Sequence, residues 1–378
     1  MATLILTCST GQGHNSCANA LKDYYDQQGE PCVIEDALGF VSKSLSKFIC
    51  WGHVTIYRHI HWLFKIGYRC SEKHPGVFQE SSSVYHLLTL GRERIAQYIK
   101  DGGFDQVICT HVFASLMMTD VQKKYHLPIV LGLVATDYTC TPGTKTSIVD
   151  RYFIPDESLA ADFECPIIED TQILSTGIPV RQMFYQNTSM AEAKAAYGIS
   201  EDHKHLLMMC GSMGCGPMKR LTKLFSRRLP EDADLTIVCG TNKRLQTKLQ
   251  KRYSKYANIH IAGYVQNMSQ LMDSADLYLT KPGGISVTEA ALKNLPMVFI
   301  DAVAGCEEYN KLFFIRKGGA KTGANSWELA DLCVYLLTNP RKLNKMRSCL
   351  QTQEKVNTAG VIYATMKRIS EEKLHEFA

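Results

Sequence analysis

Between residues 280 and 310 the sequence TKPGGISVTEAALKNLPMVFIDAVAGCEEYN sets paired glycines, an acid and a polar segment at spacings that suit a phosphate-bearing ligand. The apolar run LYLT ends at Lys281-Pro282-Gly283-Gly284. Two glycines there let the backbone turn tightly and bring bare N–H groups, Ile285 included, to an anion at the start of a helix expected over residues 286–293. Nucleotide phosphates are anions of that kind. Glu289 falls about one turn into this helix, where a carboxylate can accept hydroxyls beside the phosphate, as ribose-binding acids do. Leu295-Pro296 ends the helix, and MVFI reads as a buried parallel strand. Past its carboxyl end, a polar loop Gly305-Cys306-Glu307-Glu308-Tyr309-Asn310 is expected where open α/β sheets hold ligands. A Gly-Gly turn alone is equally an ordinary strand-to-helix connection. The acid and the second loop are what favour a nucleotide.

The elements that must position these groups recur along the whole chain. TLILTC at residues 3–8 is an apolar strand that runs into the glycine loop STGQGH, with Gly13 and His14 at its end, and a helix is expected from residue 15 to 28. His14 then stands at a helix start. With an unperturbed pKa of about 6.5 it can accept a hydroxyl proton near neutral pH, or it can merely hydrogen-bond there. A helix over residues 86–103, a strand DQVICTH, a helix VFASLMMTDVQKKY and a strand PIVLGLVATDY follow. Such alternation makes a parallel sheet with helices on both faces, and it brings His14, His111 and Asp137, each past a strand's carboxyl end, to one edge. Asp137 is a second candidate base. GIPVR at residues 177–181 has linker chemistry. Beyond it the strand-plus-glycine device repeats: HKHLLMMC leads into Gly211, Ser212, Met213 and Gly214, whose N–H groups suit a pyrophosphate. LTIVC leads into Gly240, and NIHIA into Gly263-Tyr264-Val265. Residues 325–337 and 343–377 are expected to be helical. The fold class is therefore α/β, two doubly wound Rossmann-like domains.

At 378 residues, 45% hydrophobic and 21% charged, the chain can bury a core in each of two domains. No run reaches the 18 or more apolar residues of a membrane span, and MATLILTCSTGQGH reads as a strand in place of a leader. Its 14 cysteines are scattered without a C-x-x-C pair, which favours reduced thiols over a disulfide framework or structural zinc. Residues 1–180 carry a formal charge of −5 and residues 181–378 one of +10. A basic second half suits a phosphate ligand, although solvated helix faces such as KRLTKLFSRR supply most of that charge.

The motif PGG-x-S-x-TEA, followed by LP, a strand and G-x-E-x-x-N, resembles the nucleotide-sugar domain of the monogalactosyldiacylglycerol synthase and processive diacylglycerol glucosyltransferase family, whose fold is GT-B. G-x-G-H at residues 11–14, GSMGCG at 211–216, the Thr136-Asp137 pair, VDRYFIP and GIPV-R are similar to that family as well. The chain departs from the pattern at Asn15, Thr141 and Cys306, where the family commonly has Arg, His and Gln. The resemblance implies domains over 1–180 (acceptor and membrane), 181–356 (nucleotide sugar) and a helix 357–378 crossing back, the two doubly wound domains facing each other across a cleft. It implies an inverting, metal-independent hexosyltransferase with no cofactor beyond its donor substrate. UDP-glucose or UDP-galactose would give its sugar to diacylglycerol at the inner face of the cell membrane. Donor contacts would come from Gly13, Gly211, Ser212, Met213, Gly214, Gly240, Tyr264, Val265, Gly283, Gly284, Ile285, Glu289, Glu307, Glu308 and Asn310, with His14 or Asp137 as base. A lipid-linked N-acetylglucosaminyl transferase of cell-wall synthesis, a UDP-sugar epimerase and an inactive sugar-nucleotide sensor share enough of these features to stay open.

Residues 42–75 hold Lys43, Lys47, Arg58, Lys65, Arg69 and Lys73 against one acid, Glu72, together with Trp51, Trp62 and several other aromatic rings. Cations meet lipid phosphates and rings settle at headgroup level, so this stretch is expected to dock on an anionic membrane surface. A pair of core helices with a solvated rim is the alternative. Nucleic acid is disfavoured by the acidic half around it.

Overall fold

The central strands of the first half are largely apolar instead of alternating, a pattern that calls for a sheet covered on both faces. The computed structural model describes residues 1–8, 12–42, 44, 52, 61–300, 305–351 and 356–376. Nearly half of the 42–75 stretch, with Lys43, Lys47, Trp51 and Arg58, lies outside the described residues; the helix His61–Lys73 is its main described part. Thr3–Thr7 (β1), Cys32–Asp36 (β2), Gln106–Cys109 (β3), Val130–Val134 (β4), Arg151–Ile154 (β5) and Ile173–Ser175 (β6) form one parallel sheet in the order β2-β1-β3-β4-β5-β6. β1, β3 and β4 are buried at every position, and Leu4 pairs with Val33 on one side and Val107 on the other. A second parallel sheet takes Lys204–Met209 (β7), Ala233–Val238 (β8), Ile259–Ala262 (β9), Leu277–Thr280 (β10), Met297–Phe299 (β11) and Ala320–Thr322 (β12) in the order β12-β11-β10-β7-β8-β9.

Each sheet has one place where the chain reverses its direction of travel across the strands. In the first it lies between β1 and β3, and in the second between β7 and β10. Open α/β sheets bind ligands outside the carboxyl ends of strands at such a switch point. The chain divides into two compact units, Met1–Gln182 with Val303–Cys306 and Val356–Ala378, and Met183–Ala302 with Glu307–Lys355. Within the first, the helix Thr358–Glu376 packs on the helix Gln12–Gln27 and on β4. The Tyr363 ring meets Tyr24 and Tyr25 at 5.6 and 5.0 Å between centroids, Lys367 reaches Glu30 at 3.1 Å, and Lys373 reaches Asp150 at 2.7 Å.

Four expected boundaries move. The first helix begins at Gln12, so Gly13 and His14 lie inside its first turn. The helix expected over 86–103 is two, Ser83–Thr89 and Arg92–Gly102. They part at Gly91, where a Cβ would stand 2.7 Å from the Phe40 carbonyl carbon. Residues 343–377 likewise split into Pro340–Leu350 and Thr358–Glu376. The polar loop 305–310 is mostly the first turn of a helix, Cys306–Lys317. Glu307 and Glu308 at its start and Arg316 and Lys317 at its end complement the helix dipole, and Gly318 at φ +86 ends it. The described cysteines form no disulfide.

In β7 His205 is fully buried, its Nε2 accepting from the Thr236 hydroxyl at 2.8 Å and its Nδ1 lying 3.1 Å from the Ser274 carbonyl oxygen. Burial pushes its pKa down to about 4, against smaller upward pulls from the Ser274 carbonyl, Asp276 and Asp234. The unfolded chain therefore binds this proton more readily. The stability that the neutral ring contributes is complete above pH ~6.5 and disappears as pH falls toward 4, about 3 kcal/mol in all. Denaturant unfolding at pH 7 and pH 4.5 should show a steeper acid loss for the wild-type chain than for His205→Gln, after allowance for the variant's lower starting stability. Parallel losses contradict the assignment.

Candidate active site

The second unit places its two glycine turns on the two strands that flank its switch point, β7 and β10. After β7, Gly211, Gly214 and Gly216 all take positive φ (+67, +55 and +96), a conformation that glycine reaches without strain. The Gly214 N–H donates to the Gly211 carbonyl at 3.1 Å and the Cys215 N–H to Cys210 at 3.1 Å, so the turn closes on itself. Gly214 thus does not offer the donor expected of it. Ser212 and Met213 keep N–H groups that make no hydrogen bond among the described residues.

Gly240, after β8, serves as a seat for this turn: it has φ +56, and a Cβ would lie 2.0 Å from the Ser212 carbonyl oxygen. The Thr241 N–H donates to that same oxygen at 2.9 Å. Tyr264 and Val265 follow β9, two strand positions away from β7, with Tyr264 exposed.

After β10, the Gly283 N–H folds back to the Lys281 carbonyl at 2.9 Å, which removes it from the expected phosphate donors. The helix Gly284–Leu292 starts at once, and its first internal bond is Val287 N–H to the Gly283 carbonyl at 3.0 Å. Gly284, Ile285 and Ser286 are left as the N–H groups of an open helix start. Gly283 itself has an ordinary φ of −75, and a Cβ there would meet nothing within 4 Å. The fold alone accepts a side chain at this position. Glu289, in the second turn of that helix, is 8% exposed.

The helix Cys306–Lys317 supports this turn directly. The buried Asn310, expected at the donor sugar, donates its Nδ2–H to the Pro282 carbonyl at 3.0 Å, so its amide anchors the glycine turn. Glu307 is 8% exposed, and Glu308 pairs with Lys311 at 2.9 Å. Among the described residues no group of three His, Cys, Asp or Glu side chains could hold a metal ion.

In the first unit, His14 follows β1, His111 follows β3 and Asp137 lies three residues past β4. The sheet does bring their loops together. His14 Nδ1 stands 2.8 Å from the Thr110 carbonyl oxygen and 2.9 Å from the Thr136 hydroxyl oxygen, and the two histidine rings meet edge-on at 4.5 Å between centroids. A carbonyl can only accept, so Nδ1 carries the proton and Nε2 keeps the lone pair of a base. His111 takes the opposite tautomer, because its Nδ1 accepts the Phe113 N–H at 3.0 Å and caps the following helix. Asp137 is 8% exposed, and its carbonyl accepts from the Thr139 N–H at 2.8 Å. Gly13 lies in the first helical turn, and Asn15 hydrogen-bonds through Oδ1 to the Thr7 hydroxyl at 3.1 Å. Thr110 and Thr136, which orient His14, carry no sequence signal of that role: they lie 96 and 122 residues from it.

Known proteins resemble both halves of this chain. The family described as Monogalactosyldiacylglycerol (MGDG) synthase matches residues 14–180, and the Glycosyltransferase family 28 C-terminal domain matches residues 205–360. A processive diacylglycerol beta-glucosyltransferase of Bacillus mycoides is 27% identical over 369 residues, covering 96% of this chain and 92% of that protein. Among solved structures, MurG of Acinetobacter baumannii superposes with a TM-score of 0.64 at 14% identity, over 97% of this chain and 99% of the other. The UDP-GlcNAc 2-epimerase of Neisseria meningitidis, bound to UDP-GlcNAc, superposes at 0.60 with 14% identity, over 97% and 100%. These two likenesses establish the GT-B architecture of paired Rossmann-like domains. With both family matches in their expected halves and a glycolipid-forming relative along nearly its whole length, the chain belongs to the monogalactosyldiacylglycerol synthase and processive diacylglycerol glucosyltransferase family of glycosyltransferases.

Proposed function

We propose that this chain transfers a hexose from a UDP-sugar to diacylglycerol at the inner face of the cell membrane, with inversion at the anomeric carbon. The observation that carries the reading is His14, whose Nδ1–H is fixed by Thr110 and Thr136 at the switch point of the first sheet, so that Nε2 is the basic nitrogen. In this reading Nε2 takes the proton of the acceptor hydroxyl as its oxygen bonds to the anomeric carbon. The bond from that carbon to the β-phosphate oxygen breaks, and the electron pair leaves with UDP. One displacement inverts the centre. The charge that develops on the leaving diphosphate is met by the N–H groups of Ser212, Met213, Gly284, Ile285 and Ser286, preorganised donors of the kind that stabilise such charge most effectively. Glu289 accepts from the ribose, and Glu307 or Glu308 from the sugar hydroxyls. Asp137 is the alternative base.

A panel of UDP-sugars tests the donor half. UDP-glucose or UDP-galactose should raise the unfolding temperature more than UDP-N-acetylglucosamine; the reverse ranking points to an N-acetylglucosaminyl transferase. Conversion of a UDP-sugar without any acceptor points to an epimerase.

No helix among the described residues is long and apolar enough to cross a membrane. Residues 42–75 are proposed to meet it. In the helix His61–Lys73, Ile66 is 57% exposed and Arg69 and Lys73 are exposed beside it. Each cation near an anionic surface contributes about 1 kcal/mol, an attraction that salt weakens, while ring insertion is apolar and resists salt. Trp51→Ala with Trp62→Ala, or Lys43, Lys47, Lys65 and Arg69 each changed to Glu, should lower co-sedimentation with anionic liposomes and keep UDP affinity. If both sets sediment like the wild type, this segment does not dock.

A further inference from the structure

The helices Met218–Arg228 and Lys243–Tyr253 carry five Lys or Arg residues each and not one Asp or Glu. Nine of the ten cations are exposed. Among the described residues only one of them, Arg228, has an acidic partner, Asp331, and its guanidinium also lies 4.5 Å from the Trp327 ring. Burial explains the spacing. Leu221, Leu224 and Phe225 in the first helix and Leu245, Leu249 and Tyr253 in the second face the core, which leaves Lys219, Lys223 and Arg227, and Arg244, Lys248 and Arg252, as stripes at i, i+4 and i+8. The two helices are successive right-handed crossovers, β7 to β8 and β8 to β9, and so lie on the same face of the sheet. Lys219 of one and Lys248 and Arg252 of the other line a common cavity of about 350 Å³ floored by Leu249 and Tyr253.

We infer that this two-helix face is an interaction surface for an anionic lipid bilayer, with the cavity taking a phosphate-bearing headgroup. So many like charges without counter-charges repel one another, a cost that an extended polyanion would relieve. A single free phosphate engages only the cavity and leaves the rest of both stripes unmatched. Among extended polyanions, a bilayer fits a chain whose acceptor is a membrane lipid, and the apolar floor of the cavity fits a headgroup with its glycerol better than a bare phosphate. The inference rests on the proposed function in that one respect. None of these residues belongs to the donor loops or to the His14 cluster.

The test uses the full chain with Lys219→Gln, Lys223→Gln, Lys248→Gln and Arg252→Gln together, and sedimentation with vesicles containing about a third phosphatidylglycerol. Each cation at such a surface is worth about fivefold in partition, so the fourfold variant should bind at least about tenfold more weakly in moderate salt, with UDP affinity retained. Partition equal to the wild type overturns the inference. So does a variant that loses binding to a nucleic-acid duplex while keeping the vesicles. Should the fourfold change also lower UDP affinity, the exposed pair Lys223→Gln and Arg227→Gln must still reduce partition severalfold, and no change there overturns the inference equally. Transfer to diacylglycerol dispersed in neutral detergent, where no anionic surface exists, separates the two readings. Its absence in the wild type counts against the proposed function alone, and vesicle partition continues to decide the surface.

Discussion

His14→Ala should bind UDP as tightly as the wild type and turn over about a hundredfold to ten-thousandfold more slowly, the range a positioned general base supplies. The expectation follows from the hydrogen bonds at Nδ1. Thr110 contributes a carbonyl, which cannot donate, and Thr136 a hydroxyl on the same nitrogen, so the ring is held in one tautomer and one orientation. A helix-start histidine that only capped its helix would have no need of partners from two other strands. Asp137→Asn ranks the two candidates: it should keep measurable transfer if His14 is the base. A normal rate in His14→Ala together with an inactive Asp137→Asn would transfer the role to Asp137 and leave His14 as a positioning group. The pH profile adds an independent reading, since loss of an imidazole base removes the acid limb that its titration produces.

Glu289→Ala should weaken UDP binding by about 1–3 kcal/mol, roughly five- to 150-fold, because a buried ribose hydroxyl and its neighbours lose an acceptor. Glu289 sits in the second turn of the helix Gly284–Leu292, whose open N–H groups are the proposed diphosphate donors, and it is nearly buried. A ribose hydroxyl donating to this carboxylate would make a charge-assisted hydrogen bond, stronger than one between neutral groups. Calorimetry with UDP, and with uridine lacking phosphates, separates ribose from diphosphate. The loss should appear with both. A dissociation constant unchanged in a folded Glu289→Ala protein removes the residue from the site.

The parts of this site that were legible in the sequence are the local ones. Strand, glycine turn and helix follow one another within a dozen residues, so Gly211 to Gly214 and Gly283 to Ile285 could be placed at strand ends without knowledge of the fold. Reading past that range fails for physical reasons. The helix Cys306–Lys317 was expected as a loop because its first five residues are polar and its apolar ones, Leu312 to Ile315, are consecutive and show no helical period. Its end charges, acids first and cations last, were the available signal. The bond from Asn310 to the Pro282 carbonyl is a through-space contact, as is the approach of Phe40 to Gly91, and neither has a local signature. Whether a glycine N–H is offered to a ligand or used by its own turn is decided by one peptide's orientation. Gly214 and Gly283 turned inward; Ser212 and Ile285 did not.

The proposed donors and the proposed base serve a single reaction, and it can be measured in one vessel. The chain, incubated with UDP-glucose labelled in the sugar and with diacylglycerol in mixed micelles, should move label into the organic phase as a glycolipid. The anomeric configuration of that product should be β, inverted from the α-linked donor, and UDP should be released in step with it. Label that stays in water as free or epimerised sugar, or a product that retains the α configuration, would contradict the account.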